Sequence, residues 1–347
     1  MATIKDVAKL AGVSIATVSY VINDTVPVSE ATRKRVWAAI RELGYRPNAT
    51  ARNLKAGQSR LIGYSWGAST PPEQLNPVLD EFLHTLVQMA SEANYHILPF
   101  PCSPDQIQVE AYEELVYTGR VDGFIVSDTN FDDWRIAYFM DIGFPFVAFG
   151  RANKEWDFPY VDVDGTAGIR AATEHLLAQG HRRIGLIGWP EDSLTGNYRL
   201  QGYLEAMEGA GIPVDPDWIV RGEHSAQFGR AAAGQLLDLP AERRPTAIVA
   251  LSDLMAIGAM AEVQARGLKV GHDVAITGFD DSPMARYLHP PLTSLRQPIR
   301  EIGQKVVEMI LRLIKGEELR ERHVLLPPKL VVRESSKGAR SCAPTLG

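Results

Sequence analysis

The order of apolar and polar positions divides the chain into a short helical head and a long body of alternating elements. Ile4, Val7, Ala8 and Ala11 recur at helical spacing, with Thr3 and Asp6 placed as a capping-box pair. Gly12-Val13 breaks that pattern, and Ser14 is set to cap a second helix, Ile15 to Asn23, whose Val18, Val21 and Ile22 turn back toward the first. Ser29 caps a third, running through Thr32, Val36, Ile40 and Leu43 to a stop at Gly44. The series Ala8, Gly12, Val18 lets the first two helices cross steeply, as in a helix-turn-helix. A plain three-helix bundle satisfies the same spacing. Pro47 and Gly57 bracket a short helix, Asn48 to Lys55, of two turns and too short to hold alone.

From Leu61 onward, short apolar runs alternate with helical stretches. The runs at 61–66, 95–100, 122–128 and 145–150 read as one series of buried strands, and those at 160–164, 183–188, 247–252 and 274–280 as a second. Two such series predict two doubly wound lobes with parallel sheets. After Pro290-Pro291 come a strand, an amphipathic helix Ile299 to Ile314, and a strand in "HVLLPP".

Charge separates the head from the body. Residues 1–60 hold ten Lys/Arg against four acids, leaving 26 bases and 38 acids in the other 287 of the 347 residues. A basic head on an acidic body suits a protein that touches a polyanion at one end only. The second helix has no charged residue before Asp24, although bases cluster on the third. Such a helix is better fitted to a major groove than to solvent, with Ile15, Ala16 and Tyr20 toward base edges and Ser14, Thr17, Ser19 and Asn23 toward phosphates. This favours the helix-turn-helix over the plain bundle.

In open α/β sheets ligands sit beyond the carboxyl ends of strands, and two facing lobes share that edge as a cleft. The residues there are Trp66, Asp128, Gly150, Arg151, Asp164, Ser252, Asp253, Asp280 and Asp281. Arg and Asp bridge neighbouring hydroxyls bidentately and an aromatic ring covers C–H faces, which fits a carbohydrate. His224, in the loop "RGEHSAQFG", is a further candidate.

The segments "TIKDVAKLAGVSIATVSYVIN" and "VSEATRKRVWAAIRELGYRPNATARNLKAGQSRLIG" resemble the start of the lactose/galactose-repressor family of bacterial transcription regulators. The resemblance is close over residues 3–63 and looser to about 333. It implies an all-α helix-turn-helix head (1–46) and a hinge helix and linker (47–59). It also implies an α/β two-lobed, periplasmic-binding-protein-like core of two doubly wound parallel sheets (60–333), followed by a tail (334–347). The first lobe would take 60–160 plus 292–326 and the second 161–291, joined by three crossovers. By resemblance, Ile15, Ala16 and Tyr20 read bases, although Tyr20 stands where Arg is commoner, which changes the base it can read. Thr3, Asn48, Ala51, Arg52 and Lys55 join the DNA contacts, and Leu54 wedges between base pairs in the minor groove of a pseudo-palindromic operator. "TGNYRLQGYLEAM" supplies Arg199 to the effector, "ALSDLMAIGAM" supplies Ser252 and Asp253, and "ITGFDD" supplies Asp280. The resemblance also implies that the core forms a homodimer, and the tail shows no heptad for a further tetramerising helix.

Other classes fit less well. No G-x-x-x-x-G-K-[ST], G-x-S-x-G or H-E-x-x-H occurs, and neighbouring acids such as Asp162/Asp164 or Asp280/Asp281 point different ways, which argues against an enzyme. A sugar-transport protein has no use for the basic head. Met1 to Asp6 do not read as the start of a secretory signal and no stretch has the length of an apolar membrane span, so a cytoplasmic protein without membrane contact is expected. Cys102 and Cys342 are isolated, so neither a disulfide nor a metal site is expected, and no cofactor.

Overall fold

The computed structural model describes residues 2–23, 26–46, 58–67, 77–102 and 106–337. The chain packs as two separate units, Met1–Ser59 and Arg60–Gly347.

The first unit contains helices α1 (Ile4–Ala11), α2 (Ile15–Asn23) and α3 (Glu30–Glu42). Asp6 closes the start of α1 by accepting from the Thr3 backbone (2.8 Å) and hydroxyl (2.7 Å), bonds that hold its carboxyl below its ordinary pKa. Gly12 ends α1 at φ 65°, a left-handed position that suits glycine. Ser14 accepts from Thr17 N–H and Ser29 from Thr32 N–H, capping α2 and α3. Val7, Ala8, Ala11, Val18, Val21, Val36, Ala39 and Ile40 form the core. These are the helical-period positions read from the sequence. Asn48, Ala51, Arg52, Leu54 and Lys55 lie outside the described residues.

The second unit holds two six-stranded sheets. Its elements in order are β1 (Leu61–Gly67), α4 (Pro77–Glu92), β2 (His96–Cys102), α5 (Gln106–Tyr117), β3 (Gly123–Ser127), α6 (Trp134–Ile142), β4 (Phe146–Phe149), β5 (Tyr160–Val163), α7 (Gly165–Ala178), β6 (Ile184–Gly188), α8 (Leu194–Gly209), β7 (Ile219–Arg221), α9 (Ala226–Asp238), β8 (Ala247–Ala250), α10 (Asp253–Ala265), β9 (Ala275–Asp280), β10 (Thr293–Arg296), α11 (Ile299–Ile314), β11 (His323–Leu326) and β12 (Lys329–Val331). The first sheet runs β11-β5-β4-β3-β1-β2 and the second β12-β10-β9-β8-β6-β7. Every pairing is parallel except β10–β12.

Period-two alternation makes both faces of each sheet apolar. In β3, Ile125 joins the cluster under α4 and α11, while Phe124 and Val126 join the one under α5 and α6. In β8, Val249 packs toward α7 and α8 while Ile248 and Ala250 face α9 and α10. Fully buried side chains such as Phe124 and Ile248 each contribute about 1.5–3 kcal/mol.

Strand membership corrects the expected lobe bounds. The run 160–164, read as opening the second series, lies inside the first sheet, paired with β4 on one side and β11 on the other. The strand at 293–296, expected in the first lobe, pairs with β9 and belongs to the second. Two short strands, β7 and β12, complete the second sheet and were not foreseen. The chain crosses between lobes at 163–165, 296–299 and 326–329. The tail also begins later than 334: Ser335 and Ser336 are fully buried, with Ser335 Oγ donating to the Ile276 carbonyl (2.6 Å) and accepting from Thr293 N–H (2.8 Å).

Candidate functional site

In the head, α2 buries Val18 completely and leaves Ile15 45% and Tyr20 39% exposed; Ala16 and Ser14 are exposed beside them, with Thr17 and Ser19 half-buried. Packing therefore turns an uncharged face outward with apolar and hydroxyl groups on it. Ser14 and Thr17 share a hydroxyl bond of 2.8 Å, and Thr3 is tied to Asp6.

In the core, both sheets reverse strand order at one place, between β1 and β3 and between β6 and β8. Crevices at such switch points open at the carboxyl ends of the strands. Two cavities lie there. One, of about 130 Å³, is lined by Asp128, Arg151, Asp162, Trp189, Tyr198 and Arg199 among others. The other, of about 440 Å³, is lined by Asp280, Asp281, Arg296 and Ile299, and Val78 and Gln297 line both. A third, of about 350 Å³, opens at the amino-terminal ends of β4 and β5 and is mostly aromatic and aliphatic. It lies at the wrong strand ends for a switch-point ligand.

The first-lobe wall is held by matched charges. Arg135 is almost fully buried; it donates to Asp133 (2.6 Å), Ser65 (3.1 Å) and the carbonyls of Ser127 (3.1 Å) and Asp128 (3.2 Å). Asp128 follows β3 at φ 55°. Gly150 ends β4 at φ 121°, where a Cβ would strike the Thr129 hydroxyl. Arg151 donates to Asp162 (2.7 Å), and its guanidinium sits 3.5 Å from the centre of the Tyr198 ring, which belongs to the second lobe. Burial raises the Asp162 pKa and Arg151 opposes that rise. Asn130 also spans the lobes, donating to the Asp192 carbonyl (3.0 Å) and accepting from Leu194 N–H (2.9 Å).

The second-lobe wall is less evenly matched. Arg199 is 5% exposed. Its guanidinium carbon lies 3.6 Å from the Phe279 ring centre and 4.7 Å from that of Trp189. Nη1 donates to the Leu251 carbonyl, while Nε, like the Trp189 indole N–H, is buried without a partner. Burial lowers the Arg199 pKa, and the carboxylates of Asp280, Asp162 and Asp253 oppose it. Asp280 and Asp281 both have positive φ (119° and 50°), a conformation that costs about 1–3 kcal/mol per residue. Asp280 accepts from Gln297 (2.7 Å). Burial raises its pKa despite Arg199, and the Asp253 pKa rises from burial and from the charge of Asp280.

The structure thus brings Asp128, Arg151 and Arg199 to one cavity and Asp280 to its neighbour. Other expected contacts are otherwise engaged. Ser252 is fully buried and caps α10 through Met255 N–H. Asp253 accepts from Ser294 (2.5 Å) and Ser282 N–H (2.7 Å), joining α10 to β10. Trp66 packs on Tyr64, at 5.5 Å between ring centres, and is not among the residues lining either cavity. His224 does not line either cavity; its ring lies 4.9 Å from that of Trp189, and burial together with the charge of Arg199 lowers its pKa. Residues not anticipated are Trp189, Tyr198 and Gln297. Trp189 follows "GLIG" at a strand end, the signal that would have found it.

A family model for bacterial regulatory proteins of the lacI family matches residues 3–48, and one for a periplasmic binding protein-like domain matches residues 173–336. The chain is 35% identical over 337 residues to the HTH-type transcriptional repressor CytR of Escherichia coli K12, covering 97% of this chain and 96% of that protein. The chain belongs to the lacI family of bacterial transcription regulators. Among solved structures of the family, the regulator CelR in complex with cellobiose superposes with TM-score 0.74 at 33% identity, covering 96% of this chain and 100% of that one. The lac repressor dimer bound to operator and the anti-inducer ONPF gives TM-score 0.82 at 29% identity over 96% and 99%. The relatives are transcription regulators. Among the described residues, no helix is long and apolar enough to cross a membrane.

Proposed function

We propose that this chain is a dimeric, cytoplasmic repressor that binds a pseudo-palindromic operator and is controlled by a small sugar-like effector held between the lobes. The exposed, uncharged face of α2 carries this reading, since a helix inside a basic head has no other reason to shed charge. Ile15, Ala16 and Tyr20 read base edges, and Ser14, Thr17, Ser19 and Asn23 position the helix on phosphates. Residues 47–59 form the hinge, with Leu54 as the minor-groove wedge and Asn48, Ala51, Arg52 and Lys55 beside it; Thr3 contacts the backbone. CelR with cellobiose and the lac repressor dimer on its operator support the sugar and the dimer.

Effector contacts fall to Arg199, Asp280, Asp128, Arg151, Trp189 and Gln297. Asp253, Ser252, Trp66 and His224 act from behind them. Ligand between the lobes alters their closure and thereby the affinity for DNA, a coupling of about 1–3 kcal/mol. An enzyme is the weaker reading, because the adjacent acids are committed: Asp281 to Arg296 and Arg333, Asp162 to Arg151. The test is fluorescence anisotropy with operator fragments selected from random sequence. Expected are a single preferred palindrome, a steep loss of affinity with salt, and weaker binding by Leu54→Ala with effector affinity unchanged. Binding without sequence preference would overturn the reading.

A further inference from the structure

We propose that Asn130 is a latch between the lobes: its amide, carried by the first lobe, caps helix α8 of the second and so resists opening of the cleft. The latch works whatever the cleft binds, because Asn130, Asp192 and Leu194 line neither cavity.

The loop that carries Asn130 is held stiff from within its own lobe. It leaves β3 through Asp128 and reaches α6 through Asp132, both left-handed at φ 55° and 52°. Such a turn needs support from its surroundings to persist, and three sets of bonds supply it. Arg135, 3% exposed, donates through Nη2 to the Ser127 and Asp128 carbonyls (3.1 and 3.2 Å) and to Asp133 (2.6 Å). Asp132 N–H donates to Asn153 Oδ1 (2.9 Å), and Asn153 Nδ2 donates back to the Asp132 carboxylate (2.6 Å). Between them the Thr129 hydroxyl donates to the Arg151 carbonyl (2.8 Å). Asn130, next to Thr129, is thereby presented in one place, and a contact made by a pre-organised group loses little entropy.

The second lobe supplies a group that needs this contact. The first N–H groups of a helix have no acceptor within it. At the start of α8, Ser193 Oγ accepts from Gly196 N–H (3.1 Å), while Leu194 N–H donates to Asn130 Oδ1 in the other lobe (2.9 Å). Asn130 Nδ2 donates to the Asp192 carbonyl (3.0 Å). One amide thus satisfies a donor and an acceptor of the opposite backbone together. Its position gives it leverage. The crossovers involve β5 and β11 in the first sheet and β10 and β12 in the second. Asn130 follows β3, two strands from β5, and Leu194 follows β6, three strands from β10. At about 4.8 Å per strand the latch stands roughly 10 to 14 Å from the hinge strands, where it opposes rotation with a lever arm that a contact beside the crossovers lacks. Helix α8 also carries Tyr198 and Arg199, which line the smaller cavity. Parting the lobes breaks both bonds at once and uncaps the helix that presents them.

The test uses the full chain and needs no ligand. Hydrogen–deuterium exchange is read at the Leu194 and Gly196 amides. Lobe separation is read by pulsed dipolar EPR between spin labels at the exposed positions Glu155→Cys and Gln235→Cys, in a Cys102→Ser, Cys342→Ser background. Labelled chain is diluted with unlabelled chain so that only the distance within one chain is seen. Asn130→Ala is expected to speed exchange at Leu194 roughly 10-fold, as for the loss of two hydrogen bonds, and to lengthen the distance between the labels. Ser193→Ala, which removes the cap that α8 makes for itself, should speed exchange at Gly196 and leave the distance as in the wild type. Asn130 is exposed, so its truncation leaves the core of each lobe intact; if Asn130→Ala does not fold, Asn130→Ser, also too short to span the gap, takes its place. An unchanged distance overturns the latch even if exchange rises, and unchanged exchange at Leu194 overturns the cap. A distance that lengthens as much in Ser193→Ala as in Asn130→Ala also overturns the proposal, because fraying of α8 would then open the lobes without Asn130.

Discussion

The two lobes share a strand order, with β2-β1-β3-β4-β5 and then β11 in one matched by β7-β6-β8-β9-β10 and then β12 in the other. They divide their charges differently. At the strand ends of the first lobe each arginine has a carboxylate: Arg135 with Asp133, and Arg151 with Asp162. In the second lobe one carboxylate, Asp281, serves two arginines, while Asp253 and Asp280 are buried with Arg199 as the nearby cation. Shared topology fixes where a ligand can sit. On the proposed reading the second lobe takes the larger share of the grip, because the unpartnered donors Arg199 Nε and Trp189 Nε1 both belong to it. The first lobe, with Arg135 and Arg151 each paired to a carboxylate at the cleft, would then serve as the rigid wall.

Substitutions that strip each lobe of its pairing carboxylate test this asymmetry most severely. Asp281→Ala leaves Arg296 and the nearly buried Arg333 without their shared partner and is expected to cost about 3–5 kcal/mol in urea unfolding. Asp162→Ala, at a partly exposed pair, should cost roughly 1–2 kcal/mol; equal losses would break the comparison. Next in size, Arg199→Gln should weaken effector binding by roughly 10- to 100-fold, as expected for charge-assisted bonds worth about 1.5–3 kcal/mol. Operator affinity measured without effector should be unchanged, and an effector response like the wild type's would remove Arg199 from the site.

A smaller effect comes from pH. Asp253 is pushed up to about 7 and Asp280 to about 6 in the folded chain. Their contribution to stability is complete below the ordinary carboxylate range near pH 4 and is lost as pH rises through 6 to 7. Asp253→Asn and Asp280→Asn should therefore each flatten the decline in stability between pH 5 and 8, whereas Asp133→Asn in the first lobe should leave it in place. The smallest expected change is for Tyr198→Leu, which removes the ring under Arg151 and should reduce effector affinity only a few-fold, in line with about 0.5–1 kcal/mol for a partly exposed cation–π contact. Calorimetry checks it, and a loss as large as that of Arg199→Gln would give the first lobe an equal share of the grip.

Much of this was legible in the chain, for local reasons. The three head helices follow from apolar spacing and from caps within three residues of the helices they start, so Thr3, Ser14 and Ser29 stand where they were expected. The strands at 123–127, 146–149 and 184–188 were visible as apolar runs bounded by turns. Which sheet a strand joins was not visible. The runs at 160–163 and 293–296 are equally apolar in either lobe, and only pairing with β4 and β9 assigns them. Among the site residues, Arg199 and Asp280 stand at the cleft. Ser252 and Asp253 turned inward, because the turn after β9 brings Ser282, and strand β10 brings Ser294, against Asp253.

The sequence by itself determined the helix-turn-helix, the alternation of strand and helix, and the separation of a basic head from an acidic body, since each depends on neighbours within a few turns or on composition. Tertiary structure decided which polar groups are spent and which are left over. Asp281 and Asp280 are adjacent in the chain, yet one is neutralised by two arginines and the other is raised by burial beside Arg199. That difference arises because solvation and charge pairing act through space, between residues that only the packed lobes bring within reach.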